Sequence, residues 1–150
     1  MVTKKAVAYN ERLNREVEQK LEKIRKEKTS YMSNAKWRKL LEELEGNTFC
    51  LREGRIKTLC DEDTYPFDMN IGVLETGEHT GDGICGPVAF KDIEWIFIPV
   101  STEYKEFRNG IKYRTAISQN NLAELKDFID KLGKFEYDFD EDGLKLYGYK

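Results

Sequence analysis

A chain of 150 residues with 39% hydrophobic residues is enough for one domain around one core. Its net charge of −3 is unevenly spread: residues 1–28 hold nine Lys/Arg against five Glu (+4), and residues 47–150 hold thirteen Lys/Arg against twenty Asp/Glu (−7). The acidic body argues against a nucleic-acid groove and favours a basic partner, while three irregularly spaced cysteines do not make a disulfide framework.

Residues 3–28 read as one long, very polar helix whose apolar positions Tyr9, Leu13, Val17, Leu21 and Ile24 form a narrow stripe. Acid-first pairs four apart, such as Glu16 with Lys20 and Glu22 with Lys26, support it. Two readings compete for this element: a solvated extension laid on the body, or an arm that pairs with another copy as a coiled-coil seam does. In "SNAKWRKLLEELEG", Ser33 or Asn34 caps a second helix with Trp37, Leu40, Leu41 and Leu44 on one face, and Gly46 stands just past its end.

Beyond Asn47 the period shifts to strands. Residues 48–51 and 55–60 read as a hairpin turning at Glu53-Gly54, and 61–87 as a long segment with five glycines and seven carboxylates, enclosing a short strand at 69–74. Residues 93–100 and 111–117 read as strands, with Asn109-Gly110 marking the turn into the second. A third helix follows, capped by Asn121 with Glu124, with Leu122, Leu125, Phe128, Ile129 and Leu132 inward and Gly133 at its end. Runs 135–139 and 144–149 close the chain around the acidic turn 140–143. The expected architecture is α+β: a largely antiparallel sheet with two packed helices in one domain, 33–150, preceded by a helical extension, 1–28.

The motifs that suggest chemistry each fail on context. "GDGICG" (81–86) spells a dinucleotide fingerprint, but a polar stretch precedes it and Pro87 with a strand follows, where a strand and then a helix are required. "DFDEDG" (138–143) opens like a calcium loop, yet position 12 is Tyr149 and strands flank it. Cys50, Cys60, His79 and Cys85 lack the paired spacing of a structural zinc site and reach a common ion only if the fold gathers them. A nucleophile would need Cys85 activated by His79, the only histidine, with Asp82 close by. No signal peptide or membrane span is read: the start is charged, and the apolar run 93–100 is short and contains Glu94 and Pro99.

Most aromatics of the middle region, Tyr65 through Tyr113, are expected in the core, with Tyr65 and Phe67, beside the acidic loop, as the candidates to anchor a partner. Two motifs, "SNAKWRKL" and "DIEWIFIP", resemble the bacterial family of the DUF6678 domain of unknown function, with the likeness expected over about 33–132. The resemblance implies no activity and no catalytic residues, and its general style is similar to immunity proteins that neutralise toxins. The resulting expectation is a cytoplasmic, non-enzymatic protein-binding module of the immunity or inhibitor type, with no cofactor or metal and a partner bearing a basic surface. Asp61, Glu62, Asp63, Tyr65, Phe67 and Asp82 are its expected binding residues. The alternative is a small hydrolase or metal-dependent enzyme using His79, Asp82 and Cys85; nucleic-acid contact would rest on the basic helix alone.

Overall fold

The computed structural model describes residues 4–45, 54–67, 72–74, 77–81 and 87–150. In chain order these form α1 (Lys4–Glu27), α2 (Asn34–Glu45), β1 (Gly54–Thr58), β2 (Tyr65–Phe67), a 3-10 turn at Phe90–Asp92, β3 (Ile93–Pro99), β4 (Ser101–Arg108), β5 (Ile111–Gln119), α3 (Leu122–Leu132), β6 (Tyr137–Phe139) and β7 (Gly143–Tyr147). Five strands make one sheet in the order β2-β1-β3-β7-β6, and β4 with β5 makes a separate two-stranded ribbon. Every strand pairing is antiparallel, so the fold is α+β.

Side-chain alternation sorts the sheet into two unlike faces. Ile56, Ile96 and Leu146 stand opposite one another in register, as do Ile98 and Leu144 one row over, and all are fully buried. Against this aliphatic face α2 lays Trp37, Leu40, Leu41 and Leu44, and α3 lays Leu122, Leu125 and Ile129. The sequence specifies both helices locally: the Ser33 Oγ accepts from the Lys36 N–H at 3.2 Å, and the Asn121 side chain accepts from the Glu124 N–H at 3.3 Å. Trp37 sits 6.4 Å from the Phe90 ring and is packed over the backbone of Gly148, where an added Cβ would lie 2.3 Å from the Ile93 carbonyl oxygen.

The other main attachment is α1. Its last turns are tied to the body: Leu21 and Ile24 pack with Leu59 and Tyr149, the Arg25 guanidinium lies 3.4 Å from Asp92, and Lys28 Nζ lies 3.0 Å from Glu94. The strand-like residues beyond it continue the clasp, with Thr29 and Lys150 exchanging both N–H···O bonds at 3.0 Å. Earlier along the same stripe, Leu13 and Val17 are exposed at 38% and 53%. The stretch 1–28, read from sequence as one extension, therefore contains a segment from Leu21 onward that is integral to the domain.

Several sequence expectations shift here. Asn109-Gly110 joins β5 to β4, a strand the polar sequence "STEYKEFR" did not announce, and β3 turns directly into β4 at Val100. The expected strand 48–51 lies outside the described residues, and β1 instead pairs with β2 and β3. Within 61–87 the described part is built, since Leu74 N–H donates to the His79 carbonyl, Gly77 N–H to Leu74 and Gly81 N–H to Gly72.

Deleting residues 1–19 should leave thermal unfolding nearly unchanged, whereas Leu21→Ala should cost about 2 kcal/mol and Trp37→Ala, at 1% exposure, about 3–5 kcal/mol in denaturant titration. An unaltered Trp37→Ala midpoint would move that side chain out of the core.

Candidate interaction surface

The ribbon follows from its turn. Asn109 and Gly110 both take positive φ, 54° and 78°, the two-residue turn whose twist matches that of antiparallel strands. From there β4 and β5 run paired over eight and nine residues, roughly 30 Å, with a bulge between Glu106 and Phe107. Its base is fastened: the Asn120 side chain donates to the Pro99 carbonyl at 2.7 Å, and Val100 N–H donates to the Asp142 carbonyl at 3.0 Å.

Four of its apolar side chains are not covered: Phe107, Ile111, Tyr113 and Ile117 are exposed at 60%, 72%, 55% and 63%. Register places Phe107, Lys112 and Ile117 on one face and Arg108 and Ile111 on the other, so exposed apolar side chains stand on both faces. Glu106 is engaged by Arg114 and by the Tyr113 hydroxyl at 2.8 Å, leaving the tip with Arg108 and Lys112 as its charges. Over residues 101–119 four Lys/Arg oppose two Glu, a net of +2, while the rest of the chain carries −5.

The solvent face of the main sheet is a second surface. It carries Arg55, Trp95, Phe97, Lys145 and Tyr147, all half-buried, with Lys145 Nζ 4.3 Å above the Trp95 ring and 5.4 Å from that of Tyr147. A hydrogen bond from Tyr147 to Asp138, with burial adding to it, pushes the phenol up to about 12. Arg55 spends its guanidinium on the Thr64 carbonyl and hydroxyl. These cations and rings satisfy one another, which suits a supporting layer better than a ligand platform.

At the rim of that face Glu94 is the bulged residue of β3, since Lys57 opposes Trp95 while Thr58 opposes Ile93. Its carbonyl accepts the Gly148 and Tyr149 N–H groups at 2.8 and 3.0 Å, and its carboxylate takes Lys57 and Lys28. Burial works to raise its pKa, but the hydrogen bonds from Lys57 and Lys28 outweigh that and hold it below the ordinary value.

The residues singled out from sequence separate. Asp61, Glu62, Asp63 and Tyr65 gather at the turn between β1 and β2, where Glu62 and Asp63 are exposed, Tyr65 is 39% exposed, and Asp61 accepts Lys57 Nζ through its carbonyl and the Thr58 hydroxyl through its carboxylate. Phe67 is a correction: it is 2% exposed, its ring in the main core, because Tyr65 and Phe67, two apart, share the Ile56 face of the sheet, and Phe67, opposite Gly54, joins the core cluster while Tyr65 stays outside it. Phe107 and Tyr113 are the reverse correction, surface residues where core was expected. Asp82, Cys50 and Cys85 lie outside the described residues. His79 is half-buried and bridged to Ala89, and Cys60 carries an exposed thiol 3.4 Å from the Thr58 hydroxyl. In the calcium-like motif, Asp140 accepts the Asp142 and Gly143 N–H groups and so holds the β6–β7 turn. Among the described residues no group of three His, Cys, Asp or Glu is placed to hold a metal ion, and no helix is long and apolar enough to cross a membrane.

Fold and surface together define a two-layer α+β domain with a projecting β-ribbon. The chain belongs to the family of unknown function DUF6678, matching it over residues 20–150. That span is wider than the two motifs suggested, and it starts one residue before Leu21, where α1 begins to dock. No curated protein and no solved structure matches it.

The depressed pKa of Glu94 fixes a sign. Its ion pairs stabilise the fold fully above the unfolded carboxyl value of 4.5 and are lost as pH falls through the lower folded value. Glu94→Gln should cost about 1.5–3 kcal/mol at neutral pH, and the gap in melting temperature from wild type should close on acidification below 4.5. A gap that stays constant with pH would show that the carboxylate's charge is not what matters there.

Proposed function

We propose that the protein is a non-enzymatic protein-binding module of the immunity or inhibitor kind, acting in the cytosol, with the β4–β5 ribbon as its docking element. One observation supports this most: four large apolar side chains stand more than half exposed on a ribbon that, among the described residues, has no third strand and no helix behind it. Two-stranded ribbons are marginal in water, and exposed apolar groups of this size on a soluble fold usually mark an interface. Phe107 and Tyr113 supply the large, stiff contact area that interfaces concentrate their energy on. The ribbon itself is net +2; the acidic remainder, with Glu62 and Asp63 outward beside Tyr65, is the part that suits a basic partner surface, through a contact separate from the ribbon.

The test is retention on immobilised full-length protein of proteins from cells that carry the gene, compared between wild type and the double variant Phe107→Ser/Ile117→Ser. The variant should melt within about 0.5 kcal/mol of wild type, since these side chains are exposed, while binding falls about tenfold or more. Equal retention by both proteins would overturn the ribbon as docking element. A rise in melting temperature with a nucleotide would overturn the non-enzymatic reading.

A further inference from the structure

The ribbon is not the only open edge. Strand β6 ends the main sheet, paired to β7 alone among the described residues. Its ladder is longer than its three residues, because Tyr147 N–H donates to the Glu136 carbonyl and Asp140 N–H to the Gly143 carbonyl. The backbone from Glu136 to Asp140 is thus held straight by β7 on one side, leaving the other side unoccupied among the described residues. An open edge of this kind accepts another strand through main-chain hydrogen bonds.

The two edges are opposite in charge. Residues 136–142, "EYDFDED", hold five acids and no base, Glu136 being paired with Lys150 at 3.1 Å, and β5, "IKYRTAISQ", holds two bases and no acid, Arg114 being paired with Glu106 on β4. Both also present apolar side chains to solvent: Phe139 is 43% exposed on β6, and Ile111 and Ile117 are 72% and 63% exposed on β5. A strand added at β6 with Ile111 opposite Phe139 would set Lys112 opposite Asp138 or Asp140, according to its direction. Two ribbons laid against each other would instead set +2 against +2.

We infer that the occupant of the ribbon is a second copy of this chain, whose acidic β6 edge receives β5, so that two copies related by a two-fold axis exchange ribbons. The inference rests on the ribbon being a protein-docking element and specifies what docks. A two-fold exchange makes the same contact twice, which closes the assembly and leaves neither ribbon open.

Sedimentation equilibrium of the full chain tests it. The expected result is a concentration-dependent dimer that loosens with added salt, because the charges involved lie at the surface. Reversing the ribbon charges (Arg108→Glu/Lys112→Glu) or the edge charges (Glu136→Lys/Glu141→Lys) should each weaken the dimer about tenfold or more through like-charge opposition. Mixing the two variants should restore it, since in the mixed dimer both contacts again join opposite charges. That rescue also separates charge pairing from any loss of folding in one variant. A chain monomeric at all concentrations, or a dimer indifferent to both reversals, overturns the inference. A dimer abolished by Leu13→Lys/Val17→Lys and unmoved by the ribbon changes also overturns it, placing the second copy on α1. A monomer that still retains another protein through Phe107 and Ile117 would overturn self-association while leaving the docking reading intact.

Discussion

The carboxylate and carbonyl of Glu94 hold together four parts of the chain: the segment after α1, β1, β3 and the segment after β7. The carboxylate joins Lys28, just past α1, to Lys57 on β1, and the carbonyl joins β3 to the chain after β7. A bulge makes this possible, because the extra residue turns out of the regular ladder and frees its carbonyl to take two N–H groups. Two cations on one carboxylate at a half-buried rim are favourable only while every partner stays in place. The docking of α1 and the closing of the C-terminal strand are consequently linked through one residue.

Around that point the two faces of the sheet do different work. One is aliphatic and buried under α2 and α3, which supplies most of the hydrophobic stabilisation. The other is amphipathic, with Lys145 lying on Trp95 and Tyr147, and with Arg55 and Lys57 bonded to nearby oxygens. A face finished in this way is covered by its own side chains, and the most exposed large apolar groups among the described residues are those of the ribbon.

How legible the structure was depended on whether the deciding contact was local. Helices α2 and α3 announce themselves through caps and a 3.6-residue stripe, and β3 through a run of β-branched and aromatic residues, all set within a few positions. Strand β4 is hidden because alternation there is between charged and polar residues, with no core to impose an apolar face; reflecting β5 across Asn109-Gly110 would have found it. Phe107 and Tyr113 look like core by residue type, and only their place on a two-stranded ribbon leaves them exposed. Phe67 looks like a surface anchor from its acidic neighbours, and its place opposite Gly54 on the core face of the sheet takes it inward. The anchoring of α1 depends on Arg25 meeting Asp92, 67 positions away, a distance no local pattern spans.

The sheet order also governs when the fold can form. The ribbon closes over a two-residue turn, a local event of microseconds. Strand β3 instead waits for β7, whose Tyr147 pairs with Trp95 about fifty residues earlier, and α1 is clasped only when Lys150 reaches Thr29. During synthesis, therefore, a finished ribbon with its apolar side chains exposed precedes the core that should support it. Until residues through 150 are available, β3 has an unpaired side as well. A chain paused in that interval exposes two sticky edges at once, which makes the rate of completing its last strands a determinant of how much protein escapes aggregation.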